Sequence, residues 1–185
     1  MGAARADGDP ASDVLYTNWV FIPFGAPIPK DEVTRLRNVV DNARAAGYPI
    51  KVALIGAPAD LGTAFSLWGK PEQYARFLGL ELQFLYKGPL LIVMPNGYGL
   101  FHLHKKTPES RALRGLRVTQ GATGLARSGV DAVAALARAA GHPVAVPQIK
   151  TKSSGLSDRL LIIVGATALV VAFVALEIWR RRRRA

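Results

Sequence analysis

The sequence predicts an α/β protein: a three-layer α/β/α sandwich built on a mixed sheet, followed by one C-terminal transmembrane helix. Three observations predict it. Apolar residues between positions 14 and 141 switch repeatedly between short continuous runs and the 3.6-residue helical period. Residues 89–94 (PLLIVM) are apolar without interruption, as in a strand covered on both faces. Residues 160–179 (LLIIVGATALVVAFVALEIW) carry one charge, Glu177, in twenty positions. As a helix that run is about 30 Å long, the thickness of a bilayer's hydrocarbon core.

The elements follow in order. Residues 1–13 are polar and expected to be flexible. Residues 14–22 (VLYTNWVFI) are rich in β-branched and aromatic side chains and predict a strand. Pro23, Gly25, Pro27 and Pro29 then impose a loop. Residues 30–46 predict a helix, with Asp31 and Glu32 in the first turn and Val33, Leu36, Val39, Val40 and Ala43 at helical spacing. Gly47 ends it. Residues 50–55 (IKVALI) predict the next strand, and a Gly-, Ala- and Pro-rich loop runs to Lys70. Pro71 opens a second helix, where its missing N–H costs nothing. That helix is expected to bury Tyr74, Phe77, Leu78, Leu82 and Leu85 on one face. Gly88 precedes the strand at 89–94, Pro95-Asn96-Gly97 predicts a hairpin turn, and residues 98–104 predict the return strand. A basic loop follows. The third helix is expected from Gly129 to Ala140, opened by a capping box of Ser128 and Asp131. Residues 142–158 are expected to be a linker. Helices interleaved with a central apolar strand imply the three-layer sandwich.

This order, with its motifs, resembles the TPM domain family over residues 14–141. That family is typified by a thylakoid-lumen acid phosphatase-like protein and by membrane-anchored bacterial envelope proteins. The matching pieces are Ala45-Ala46-Gly47 before the strand IKVALI, residues 74–78 (YARFL), and Gly88 with the strand PLLIVM followed by Asn96-Gly97-Tyr98-Gly99. The resemblance implies a signal peptide, an extracytoplasmic α/β/α domain and a C-terminal anchor. It also implies acidic residues that bind metal and support phosphatase activity, and here the chain departs from the family. Phe24 to Pro29 stand where the family has an aspartate before its first helix. Tyr86-Lys87 stand where it has Asp-Asn. The expectation is therefore a divergent, non-catalytic member with no cofactor and no catalytic residue.

Other chemistry is sparse. The chain has no cysteine, which excludes disulfide and thiolate-metal scaffolds. His102 and His104 stand two apart on a predicted strand and so share a face. They are the candidate ligands for a divalent metal, given a third ligand. No nucleophile elbow or P-loop is present: Ser66 lacks the flanking glycines, and residues 121–124 (GATG) lack the GK[ST] ending. Asp60, Glu72 and Glu81 are the isolated acids of the central region.

Charge is the more informative signal. The chain is +11 overall, yet its positive excess lies beyond residue 99. Lys105, Lys106, Arg111, Arg114, Arg117 and Arg127 predict a basic patch. Its expected partners are anionic envelope polymers, lipid headgroups or a membrane-protein complex. No Phe, Tyr or Trp stands between Phe101 and the apolar run that begins at Leu160, so base stacking is not supported and nucleic acid is a disfavoured partner.

The anchor is flanked by Asp158 and Arg159 on one side. On the other stand Trp179 and the run Arg180, Arg181, Arg182, Arg183 and Arg184. Arginine excess beside a span marks the cytoplasmic side. Moving each charge outward against 100 mV costs about 2.3 kcal/mol. The lipid bilayer is thus the first expected partner. The protein is expected in the plasma membrane, single-pass, with residues 180–185 inside and the α/β domain outside. Ala4-Arg5-Ala6 has the form of a signal-peptidase site, which leads to the expectation that a signal peptide lies upstream of Met1. The expected function is that of an accessory or binding protein. The alternatives are a metal-dependent TPM-type phosphatase and a tail-anchored cytoplasmic nucleic-acid binder.

Overall fold

The computed structural model describes residues 8–25, 27–102 and 109–148. The expected transmembrane run, the arginine tail, His104, Lys105 and Lys106 lie outside the described residues. The chain divides into two compact units, Met1–Ile149 and Lys150–Ala185, and all the described residues belong to the first. Among them, no helix is long and apolar enough to cross a membrane.

The first element differs from expectation. Residues 14–22 are not one strand: helix α1 spans Pro10–Thr17, and strand β1 is only Val20–Phe21. The cause is the helix start. Asp9 is the N-cap and its side chain accepts from the Ala11 N–H at 3.0 Å, while Pro10 fills the first helical position. A local cap outweighs the strand preference of the residues after it, and Asp9 to Asp13, expected to be flexible, form the cap and first turn of α1.

Helix α2 (Lys30–Ala45) forms as its spacing predicts, with Leu36, Val39, Val40 and Ala43 buried. Gly47 ends it at φ +89°, a conformation that glycine adopts without strain. Strand β2 is Lys51–Leu54, buried throughout. The expected loop after it is a run of 3-10 turns over Pro58–Leu67, bent at Gly62. Asp60 holds the entry by accepting from the Gly56 and Ala57 N–H groups, each at 2.8 Å. Helix α3 is Pro71–Leu82 and buries Tyr74, Ala75, Leu78 and Leu82. Phe77 and Leu85 are exposed, contrary to expectation. Leu85 falls outside the helix, and the buried stripe runs through 74, 78 and 82.

Strands β3 (Leu90–Met94) and β4 (Gly97–Phe101) form the expected hairpin, with Met94 opposite Gly97. The predicted basic loop contains a short helix, α4 (Glu109–Arg114). Helix α5 spans Gly121–Ala139, eight residues earlier at its start than the predicted Gly129. The Ser128–Asp131 capping box is therefore not a helix start. Ser128 lies buried inside α5, and its Oγ accepts from the Thr119 N–H at 2.8 Å, holding the segment that precedes the helix. Residues 142–148, expected as linker, instead lie along α2. The Arg35 side chain donates to the Pro147 carbonyl at 2.7 Å, and Val144 and Val146 pack against the core.

The sheet has the order β1-β2-β3-β4, with the first three strands parallel and β4 antiparallel. One face (Val20, Val52, Leu54, Leu91, Val93) is covered by α2 and α5. The other (Phe21, Ala53, Leu90, Ile92, Met94) is covered by α1, the 3-10 run and α3. The chain is thus a mixed α/β fold with helices on both faces. Both parallel crossovers step the same way across the sheet, yet their helices lie on opposite faces. The two connections therefore have opposite hands, and one of them runs against the strong right-handed preference.

Glycine sets the distance between α3 and β4. A methyl at Gly79 would strike the Phe101 ring, and one at Gly99 would strike the Pro71 carbonyl.

Candidate functional site

The α2–β2 turn brings Tyr48 to the amino-terminal edge of the parallel strands. There it meets the end of β4 and the start of α4. The Tyr48 hydroxyl donates to Glu109 Oε1 at 3.0 Å across 61 residues of sequence. Glu109 is only 3% exposed, and its second oxygen, Oε2, has no hydrogen-bond partner. That oxygen lies 3.8 Å from His102 Nδ1, which also lacks a hydrogen-bond partner. Burial, reinforced by the charge on Glu109, pushes the Tyr48 phenol well above its ordinary range. Tyr48 is therefore a fixed donor at any physiological pH. His142 completes this wall. Its Nδ1 lies 2.7 Å from the Ala46 carbonyl, and its ring lies over Tyr48 with centroids 6.3 Å apart. Tyr48, His102, Glu109 and His142 line one cavity of about 460 Å³, with Pro49 and Pro89 beside them.

A second concavity, of about 580 Å³, runs along β4. Tyr98, Leu100 and Phe101 from β4 line it, with Arg76 and Glu72 from α3 and Arg114 from α4. His102 lines both spaces. Among the described residues β4 pairs only with β3, so the groove follows an edge strand.

The expected basic patch is only partly gathered. Arg111 and Arg114 are exposed on α4, and Arg117 is exposed on the segment that follows. Arg127 lies on α5 and is engaged elsewhere: its Nε pairs with the buried carboxylate of Glu32, whose other oxygen lies 3.7 Å from Arg35. The structure adds Arg76, which sequence spacing did not connect to Arg114. Of the expected metal pair, His102 follows the end of β4, which stops at Phe101 and not at the expected residue 104, and His104 lies outside the described residues. Among the described residues, no group of three or more His, Cys, Asp or Glu side chains is poised to hold a metal ion.

Several other ionisable groups are committed to the fold. Asp60 caps a turn, and Asp9 caps α1 while accepting from the Tyr74 hydroxyl at 2.8 Å. Lys51 is 6% exposed and donates to the Leu15 and Asn18 carbonyls at the end of α1. Its ammonium lies 4.9 Å from the Trp19 ring centroid and 5.3 Å from that of Tyr86. Burial lowers its pKa, while the helix end and the two rings favour its charge.

In comparisons with known proteins, no family model, no curated protein and no solved structure matches the chain.

The sequence reading missed Tyr48, Glu109 and Arg76. One signal was available for Glu109: it is one of only two acids in the basic stretch 100–152. An acid there has a reason to be buried or paired.

Proposed function

We propose that this chain is a single-pass membrane protein whose α/β domain, a divergent relative of the TPM family, is an accessory or binding module. The apolar run 160–179 with the five arginines after it supports the anchor, and the arginine bias favours an outward-facing domain. One structural observation carries the binding role. Arg76 and Arg114 come from two different helices to one groove, floored by Tyr98, Leu100 and Phe101, along an edge strand. Two arginines lining a groove together with apolar residues of an edge strand suit an extended anionic partner, an acidic peptide segment or an anionic envelope polymer. Asp9, Glu32 and Asp60, by contrast, are buried and bonded within the fold. Their employment in caps and ion pairs favours a binding module over a carboxylate-driven hydrolase.

The test has two parts. Carbonate extraction of membranes carrying the full chain checks the anchor, and recovery in the aqueous fraction refutes it. Binding of poly-L-glutamate by the detergent-solubilised full chain checks the groove. Affinity is expected to fall with salt and to drop at least tenfold in R76Q/R114Q. Unchanged affinity in that variant refutes the groove. Metal-stimulated turnover of a chromogenic phosphoester would replace the binding reading with an enzymatic one.

A further inference from the structure

We infer that the cavity at the amino-terminal edge of the sheet is a binding site for a first-row divalent metal ion, with Glu109 Oε2 and His102 Nδ1 as its protein ligands. The inference is independent of the anchor and of the arginine groove.

The two atoms are of the right chemical kind. Carboxylate oxygen and imidazole nitrogen are the usual non-thiolate ligands of zinc and its neighbours. Among the described residues neither has a hydrogen-bond partner, whereas a buried polar atom is ordinarily satisfied. Glu109, with 4% side-chain exposure, spends one oxygen on Tyr48 and leaves the other facing only the His102 ring, beyond hydrogen-bond distance at 3.8 Å, so a cation held between the two would satisfy both.

Their spacing also fits. A metal about 2.1 Å from each atom separates them by about 3.4 Å at a tetrahedral angle. The observed gap is 3.8 Å, so closure by about 0.4 Å completes the geometry. Torsional adjustment of the two side chains covers that distance.

The supporting shell is present before the metal. The Tyr48 hydroxyl holds Glu109 through Oε1, leaving Oε2 as the oxygen next to His102. His142 has its Nδ1 against the Ala46 carbonyl. A histidine that donates from Nδ1 to a carbonyl leaves Nε2 bare, as in histidines that bind metals. Its ring lines the same cavity. The cavity leaves room for water or a small anionic ligand to fill the remaining positions, the arrangement of an open metal site. This pairing differs from the one that sequence spacing suggested. Glu109, on α4, replaces His104 as the partner of His102.

The experiment uses the purified full chain in detergent, titrated with zinc chloride by calorimetry and with cobalt chloride by visible absorption. One equivalent is expected to bind, with a cobalt d–d band. E109Q and H102N are each expected to weaken zinc at least tenfold and to abolish the band. R138Q, an exposed change on α5, is expected to leave both unchanged. The glutamine in E109Q retains an acceptor for Tyr48, and H102N alters a partly exposed side chain, so near-UV circular dichroism can confirm the fold of each. The absence of saturable zinc binding by the folded chain overturns the inference. So does zinc binding that survives both substitutions.

Discussion

Asp9 provides the sharpest test of the energetics. It is 5% exposed, caps α1 through the Ala11 N–H, and accepts from the Tyr74 hydroxyl with both oxygens at 2.8 Å. Burial raises its pKa from 3.8 to about 6, against the opposing pull of its hydrogen bonds to Tyr74 and Ala11. Because the native state holds the proton more tightly than the unfolded chain, stability falls as pH rises between those two values. At 1.36 kcal/mol per pH unit, the loss is about 3 kcal/mol and is complete above pH 7. D9N removes this loss. Asparagine is an equally good N-cap, and its carbonyl still accepts from Ala11 and Tyr74. The variant is therefore expected to match the native protein near pH 4 and to exceed it by up to about 3 kcal/mol at pH 7.5. Urea denaturation of both proteins from pH 4 to 8 gives the difference directly, since every other titrating group contributes to both. Parallel pH profiles would refute the reasoning, as would a D9N protein that is less stable at pH 7.5.

Two further substitutions probe the packing. G99A places a methyl against the Pro71 carbonyl, a backbone atom that cannot rotate away; it is expected to cost about 3 kcal/mol and lower the melting temperature by roughly 10 °C. S128A leaves the Thr119 N–H without its acceptor; a loss of about 1 kcal/mol is expected, with faster amide exchange at Thr119 that hydrogen-exchange NMR would detect.

The parts of the fold that sequence made legible are those with a strong period. Helix α2 was visible in Leu36, Val39, Val40 and Ala43, and β3 in an unbroken apolar run between Gly88 and Pro95. The hairpin was visible in Pro95-Asn96-Gly97. Helix α1 was hidden because its residues favour a strand, and the deciding signal was the Asp9-Pro10 pair before them. The first turns of α5 were hidden by Gly121 and Gly124, which lower helix propensity. Gly124 is required there by the close approach of the Thr119 carbonyl. Ser128 resembled a cap because serine at a helix start and serine holding a distant backbone amide use the same hydroxyl. The cavity was illegible for a different reason. Tyr48, His102, Glu109 and His142 belong to four separate segments, and no local pattern encodes their convergence. The same holds for Arg76 and Arg114, which line one groove only because α3 and α4 flank the same edge strand.

The alternation of crossovers between the two faces of the sheet has a consequence for synthesis. α1, the 3-10 run and α3 can complete their layer as soon as β3 is made, because all of them precede it in the chain. The stripe of α2, finished at Ala45, must wait for α5, which begins only at Gly121. A nascent chain halted before residue 121 would carry one closed layer and one sheet face covered by α2 without α5. Chaperone capture of ribosome-bound intermediates should therefore peak in that window and fall away once α5 has emerged.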